Sequence, residues 1–464
     1  MSEPSSARPI AFVVAGIVFM QLLDGAIIAT SLPVMAEELG VPTLSMSVGI
    51  TAYLLAAAVF MPMSTWLADR LGGVRVFLGA IVVFTLASLA CALAQDLGQF
   101  VVARIIQGMG GAFMVPVGRA IVLEKASKDE VIHVLATMIW PALAAPVIGP
   151  VLGGAITTYF SWRYNFLINL PIGALGFVLV LLMVKDSRPV TPRPFDWTGF
   201  FLSAGGLGAL LVGLELFVQQ EDQTWLPLVI AALGIVGCVA AVRHLMASPM
   251  PLLSLDAFRT PTFALSTVAA GSYLRLAIDA MPFLLPLLLQ IGLGYGALQA
   301  GSLMLAYFIG NMAMKSVTTP TLQRFGFRGV LIVNGVLSVV LLAACSIVIP
   351  SVPLWGTVLI LGLSGLSRSM QFTALTSLAF SDIDDVQRRP ASTLISIVQQ
   401  VTLVLAVAVA TFALKLSQWL RGGEVMALLD LQVAIGGMAG FAAVATFLLL
   451  RLPARAGDEI AGRG

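Results

Sequence analysis

Apolar runs long enough to cross a bilayer recur about fourteen times along this chain, and that repetition decides what it can fold into. A membrane-spanning helix needs about 20 mostly apolar residues. Runs of that kind fall at about 10–32, 46–68, 74–95, 98–122, 131–157, 162–184, 196–218 and 225–247, then at about 262–290, 298–318, 328–350, 355–380, 391–418 and 427–451. Composition agrees: 59% of the 464 residues are hydrophobic, only 10% are charged, and the mean hydropathy is +1.00. A soluble domain carries about 25% charged residues. The expected fold class is an all-α integral membrane protein with about fourteen transmembrane helices. The loops are too short to hold a soluble domain, and the tails, 1–9 and 452–464, are short and polar. The first run is too long for a cleavable signal peptide and reads as the first anchor. A net charge of +2 gives no argument for a nucleic-acid partner. Cys91, Cys238 and Cys345 fall inside apolar runs, with neither a disulfide framework nor metal-ligand spacing, so no metal or cofactor is expected.

An even number of spans puts both tails on one side. Basic residues concentrate on that side, Arg70, Arg75, Arg119, Lys125, Lys128, Lys185, Arg188, Arg193 and Arg455 among them, while only Arg163, Lys415 and Arg421 fall opposite. The positive-inside rule then makes both tails cytoplasmic and directs the acidic loops at Glu37–Glu38 and Glu221–Asp222 outward. The expected location is the inner (plasma) membrane.

A weak internal repeat divides the chain. Thr65-Trp-Leu-Ala-Asp-Arg-Leu-Gly72 lies between spans 2 and 3, and Thr319-Pro-Thr-Leu-Gln-Arg-Phe-Gly326 between spans 10 and 11, with Arg and Gly equally spaced. Parallel repeats about an axis along the membrane normal are a transporter plan with a site at the repeat interface. The expected organisation is two pseudo-symmetric six-helix bundles, 1–190 and 259–464, with spans 7 and 8 inserted at 191–258.

Charges inside the runs are the candidate site residues. Asp24 lies roughly 12 Å from the C-terminal end of span 1 at ~1.5 Å per residue. An ionised Asp at such depth costs about 2.5–3.5 kcal/mol even on lenient scales, which makes it a functional candidate; the alternative is a carboxylate that only fixes helix packing. Arg104 in span 4 lies at a similar depth, because spans 1 and 4 run antiparallel. A guanidinium close by favours the ionised carboxylate, so a pair that opens and closes is a proton switch. The alternative for Arg104 is snorkelling to the outer interface. Gln107, one turn on, shares its face and can bond the pair or a substrate. Arg275 and Asp279 stand at i and i+4 in span 9 and can neutralise each other; Asp279 is the second candidate proton carrier. Arg368 in span 12 is a third buried cation that can share Asp279. Gln21, Tyr53, Trp140 and Gln400 are candidate cavity residues by depth and type, and substrate binding is expected from them together with Gln107, Arg275 and Arg368.

Several motifs, in order, resemble those of one family. Leu67-Ala-Asp-Arg-Leu-Gly-Gly-Val-Arg75 looks like the cytoplasmic 2–3 loop of the major facilitator superfamily. Arg104-Ile-Ile-Gln-Gly-Met-Gly-Gly111 resembles its helix 4 motif, and Gly149-Pro-Val-Leu-Gly-Gly154 the helix 5 motif of its antiporters. Leu23-Asp-Gly-Ala-Ile-Ile-Ala-Thr-Ser-Leu-Pro33 and Trp162-Arg-Tyr-Asn-Phe-Leu-Ile-Asn-Leu-Pro-Ile-Gly173, with fourteen spans, resemble its 14-helix drug:proton antiporter branch. The chain departs from that pattern at Ala26 and Ala29, where Thr and Asn are usual, and at Thr65, Gly73 and Val74 in the 2–3 loop.

The resemblance implies a proton-coupled exporter of amphipathic or cationic small molecules, multidrug efflux by alternating access, with protons and the lipid bilayer as partners and a monomer as one possible state. It implies a gate at Asp69, Arg70 and Arg75. Physically, Asp69 can pair with Arg75 or sit at a neighbouring helix N-terminus, contacts that must break when the halves rock. It also implies a sealing seam at Gly149, Pro150, Gly153 and Gly154. Here proline kinks the helix and glycine lets a neighbour approach, although simple close packing reads the same residues equally well. Two alternatives stand beside this reading: a proton-coupled exporter of a specific amino acid, sugar or lipid-like anion, and a membrane sensor that transports nothing. No enzyme is expected: there is no phosphate-binding G-x-x-x-x-G-K-[ST] loop, and His133 and His244 lie apart near helix ends.

Overall fold

A computed structural model describes residues 7–126, 130–184, 194–219, 225–384, 387–423, 425–453 and 456–457. Lys128, Lys185, Arg188, Arg193, Arg455, Glu221 and Asp222, which carry part of the charge bias, lie outside the described residues. Among those described, thirteen helices are long and apolar enough to cross a membrane, and the apolar helix 143–159 adds a shorter one. The chain forms two compact units, 1–197 with 296–301 and 198–295 with 302–464.

The first unit contains α1 (Ala7–Leu39), α2 (Ser47–Phe60), α3 (Met63–Leu71), α4 (Gly73–Leu93), α5 (Leu97–Lys125), α6 (Val131–Tyr159), α7 (Tyr164–Leu167) and α8 (Asn169–Met183). The single expected helix 46–68 is interrupted at Met61–Pro62, so it becomes α2 and α3. Proline has no N–H to continue the ladder. α5 opens on Asp96, whose side chain accepts from the Gln99 amide at 2.8 Å, a standard N-cap. It packs on α2 and α4, and its glycines permit this: a Cβ on Gly110 would come within 2.8 Å of the Phe84 amide nitrogen.

The second unit contains α9 (Trp197–Gln219, from Thr198 on), α10 (Leu226–Ala247), α11 (Pro261–Ala264), α12 (Ala270–Asp279), α13 (Met281–Leu287), α14 (Ala297–Phe325, from Ser302 on), α15 (Phe327–Ser346), α16 (Leu354–Ala379), α17 (Arg388–Arg421) and α18 (Leu428–Leu449). α9 and α10 form an antiparallel hairpin in which backbone meets backbone at Gly206, Gly213 and Gly234. They are the least buried spans, at 22% and 17%, against 78% for Pro261–Gly292.

That most buried span is also the most irregular. π-helical turns at Leu265–Ala269 and Leu288–Gly292 flank α12 and α13, and the helix breaks at Ala280. Pro282 and Pro286 withhold two amides. Hydroxyls take up carbonyls near the first π turn: Ser266 Oγ donates to Thr262 O at 2.7 Å, and Ser272 Oγ to Thr267 O at 3.1 Å. Broken helices survive in lipid only where side chains re-satisfy the backbone in this way.

The internal repeat has a common backbone form. α3 ends at Gly72 with φ 92, and α14 ends at Gly326 with φ 76. Each glycine amide closes the preceding helix, Gly72 N on Ala68 O and Gly326 N on Leu322 O, both at 2.9 Å. Each glycine carbonyl opens the next, accepting from Val76 and Val330, both at 3.2 Å. At such positive φ a residue with a Cβ is strained, so both copies of the motif place Gly there.

Candidate functional site

Asp24 sits at the centre of the first unit with 2% of its surface exposed. One oxygen accepts from Arg104 Nη1 at 2.7 Å. The other accepts from Gln107 Nε2 and Asn169 Nδ2, both at 2.8 Å. Ser88 Oγ takes a further hydrogen bond from each amide, at 2.8 and 3.1 Å. Three helices, α1, α5 and α8, thus meet on one carboxylate, and α4 holds both amides through Ser88. Arg104 is fully buried, donates from Nε to Gly49 O at 3.2 Å and from Nη1 to Gln107 Oε1 at 2.6 Å, and lies 4.2 Å from the Tyr53 ring centroid. Snorkelling is therefore excluded. Removing both ions from water costs several kcal/mol each, and burial is tolerable only because the remaining lone pairs and protons find partners. Asp24, Arg104 and Gln107, marked by charge and spacing in the sequence, come together here; Ser88 and Asn169 carry no such signal and join them only through the fold.

The seam residues lie beside this site. α1 packs along α6, and a Cβ on Gly149 would reach 2.5 Å from the Ala26 Cβ. One on Gly153 would stand 2.6 Å from the Ile27 carbonyl oxygen, and one on Gly154 would overlap the Ala297 carbonyl of the same unit. Ala26, a departure from the family pattern, is therefore the small residue that Gly149 packs against. Pro150 is buried in the same helix. At one end of α1, Glu38 accepts from Trp162 Nε1 at 2.6 Å and pairs with Arg163, which also donates to Ala94 O at 3.1 Å.

In the second unit the expected Arg275–Asp279 pairing is corrected. Asp279, 8% exposed, pairs instead with Arg368 Nη2 at 3.0 Å, drawn from α16. It is the last residue of α12 before the break at Ala280. Arg275 is 1% exposed, its three guanidinium nitrogens have no hydrogen-bond partner among the described residues, and it lies 5.7 Å from the Phe372 ring centroid. Arg368 lies 5.9 Å from the Tyr307 ring and lines a cavity of about 10 Å³ with Tyr307, Ser338, Ser364 and Ser367. Next to it, Asn334 Nδ2 donates to Gln371 Oε1 at 2.8 Å and Ser338 bonds Ser367 at 2.7 Å.

The remaining candidates are dispersed. Gln21 Nε2 donates to Gly111 O at 3.0 Å, and Tyr53 is buried under Arg104. Gln400 is half-buried, whereas Trp140 is exposed. Asp69, Arg70 and Arg75 are all exposed, and Arg70 lies 5.4 Å from the Trp66 ring.

Multiple apolar spans, with the buried carboxylates Asp24 and Asp279 each paired to a guanidinium inside its own unit, define a polytopic membrane protein with ionisable groups inside its helix bundles. The chain belongs to the Major Facilitator Superfamily, whose family model matches residues 14–411. It is similar to the putative multidrug resistance protein MdtD of Salmonella paratyphi A, 36% identical over 412 residues that cover 88% of this chain and 86% of the relative. MdtD of Escherichia coli O45:K1 is 37% identical over 420 residues, covering 89% and 87%. Among solved structures, the POT family transporter PepTSo matches with a TM-score of 0.70 at 11% identity over 96% of this chain and 98% of that one. The nucleoside transporter NupG matches with a TM-score of 0.63 at 15% identity, over 95% and 98%. These two likenesses show the shared fold.

Proposed function

We propose that this protein is a proton-coupled secondary transporter that exports amphipathic or cationic compounds by alternating access, a multidrug efflux protein of the inner membrane with both termini cytoplasmic. The observation that carries this reading is the Asp24–Arg104 pair, closed at 2.7 Å inside an apolar bundle. The names of the relatives that match most of the chain support the cargo class. In this cycle Asp24 takes a proton from the outer side, which releases Arg104; substrate arriving from the cytoplasm drives the proton off again. Asp279 is a further proton carrier. Gln21, Tyr53, Gln107, Trp140, Arg275, Arg368 and Gln400 contribute to substrate binding. Asp69, Arg70 and Arg75, with the seam at Gly149, Pro150, Gly153 and Gly154, form the gates. The moving bodies are residues 1–190 and 259–464, with 191–258 as the inserted pair. Moving one charge through 100 mV is worth about 2.3 kcal/mol, enough to bias such a cycle.

The test is flux of tetraphenylphosphonium in proteoliposomes under an imposed pH gradient, with proton release measured on adding the same cation to purified protein. Gradient-driven flux that is lost in Asp24→Asn, together with its proton release, is the expected result. Undiminished release and flux in that variant would remove Asp24 from the mechanism.

One observation favours a second reading, export of a specific anionic metabolite: Arg275 is buried without a hydrogen-bonded counter-charge. A thermal-shift screen separates the two readings. Stabilisation by carboxylates or phosphates, with none by lipophilic cations, selects the second.

A further inference from the structure

The repeat extends well beyond the loop that first revealed it. The sequence distance from Gly72 to Gly326 also separates Tyr53 from Tyr307 and Cys91 from Cys345, and one residue more separates Asp24 from Asp279. Arg104 and Gln107 correspond, through a common longer interval, to Arg368 and Gln371. In each half, then, the first span supplies a buried Asp, the second a Tyr, the third a Cys and the fourth an Arg followed by Gln one turn on. The geometry is repeated as well. Arg104 binds Asp24 at 2.7 Å and lies over Tyr53, while Arg368 binds Asp279 at 3.0 Å and lies over Tyr307. Each cysteine adjoins its set, Cys91 Sγ at 3.7 Å from Gln107 Oε1 and Cys345 Sγ at 3.4 Å from Ser364 Oγ.

The two copies differ in how firmly they hold the carboxylate. Asp24 accepts from Arg104 and from two neutral amides. Among the described residues Asp279 has one donor, Arg368, because Gln371 has turned to Asn334 and the Leu331 carbonyl. The cavity beside Arg368, about 10 Å³, is close to the volume one water needs. One turn before Asp279 on the same helix, the second half carries Arg275, whose guanidinium has no hydrogen-bond partner among the described residues. Asp279 thus has a second guanidinium to turn to when Arg368 withdraws. The other titratable and charged groups on the elements around it are Tyr273 of α12, Tyr307, Lys315 and Arg324 of α14 and Arg328 and Cys345 of α15, while α17 and α18 carry their charges near their ends.

We infer that the protein has two proton-exchange sites of common origin, one carboxylate–guanidinium pair per half, so that two protons move per transport cycle and the Asp279–Arg368 pair opens more readily than Asp24–Arg104. This rests on the reading of Asp24–Arg104 as a proton switch and adds its stoichiometry. The chemistry is proton transfer alone: each carboxylate gains one proton as its arginine withdraws and loses it to the other side as the pair re-forms.

Two measurements on the full chain test it. Infrared difference titration of purified protein counts buried carboxyl groups that take up protons and needs no substrate. Two are expected in wild type; Asp24→Asn loses one and Asp279→Asn loses the other. Because Asp279→Asn leaves the part-buried Arg368 without its counter-charge, the charge-balanced Asp279→Asn/Arg368→Gln variant is titrated beside it. A signal that neither Asp279 variant diminishes makes Asp279–Arg368 a fixed structural pair and overturns the inference, while the Asp24 reading stands. Loss at Asp279 with none at Asp24 defeats the Asp24 reading instead. The second measurement is tetraphenylphosphonium accumulation with the membrane potential clamped at zero. A tenfold proton gradient sustains about a hundredfold cation gradient with two protons exchanged and about tenfold with one. Wild type is expected at the first value and Asp279→Asn/Arg368→Gln at the second; a wild-type value of tenfold overturns the inference.

Discussion

At the scale of single residues, the charge pattern betrayed the site and packing completed it. Asp24 and Arg104 were visible because an ion in an apolar run demands a partner, and only a few ions were available. Asn169 and Ser88 were not visible: neutral polar residues are tolerated at many depths, and only the fold shows that these two converge on one oxygen and its donors. The i,i+4 rule misplaced Arg275 because it knows only one helix, and Arg368 from α16 reached Asp279 first. A prediction follows from the satisfied state of Asp24. Breaking a buried pair by removing one partner costs about 3–5 kcal/mol, whereas removing both costs less. Asp24→Asn and Arg104→Gln should each lower unfolding stability in detergent by that order, and the double variant should fall well short of their sum. Additive losses in a double-mutant cycle would show that the two groups do not act as a pair.

Among the elements, the run at about 262–290 read as one uninterrupted helix, yet it folds as three short helices, α11, α12 and α13, with π turns after the first and the last. Hydropathy registers burial and length, and it is blind to the withheld amides of Pro282 and Pro286 until the surrounding hydroxyls are in place. The α1–α6 seam was legible in its glycines, but not the partner that makes them necessary. Gly153→Ala brings a methyl within 2.6 Å of the Ile27 carbonyl oxygen, whereas an added Cβ at Gly16 meets nothing within 4 Å. Overpacking costs about 1–3 kcal/mol. Gly153→Ala should therefore lower the melting temperature in detergent, with Gly16→Ala neutral or slightly stabilising. The paired stops make a matching prediction. Gly72→Ala and Gly326→Ala place a Cβ at φ 92 and φ 76, and each should lose about 1–3 kcal/mol, to a similar extent, in chemical denaturation.

For the whole molecule, the spans and the family were readable from hydropathy and four motifs in order. Two units emerge, with the α9–α10 hairpin grouped in the second from Thr198 onward; no charge or turn signal in the sequence marks that attachment, which depends on apolar packing such as Phe217 against Phe412. The orientation proposed from the basic residues predicts a labelling pattern. In a variant whose Cys91, Cys238 and Cys345 are serine, a single cysteine at position 38 should react with an impermeant thiol reagent added to intact cells. One at position 69 should react only after the membrane is opened. The reverse pattern would invert the topology.

Because Gly149 and Gly153 bring the α6 backbone directly against Ala26 and Ile27 of α1, the two helices form a double-walled strut. Asp24 is carried on that strut as a fixed post. In the proposed cycle a change in its surroundings is then expected from the far side, by α5 withdrawing Arg104 and Gln107 or by α8 withdrawing Asn169. On that reading the acid stays put, and its clamps are the parts that travel.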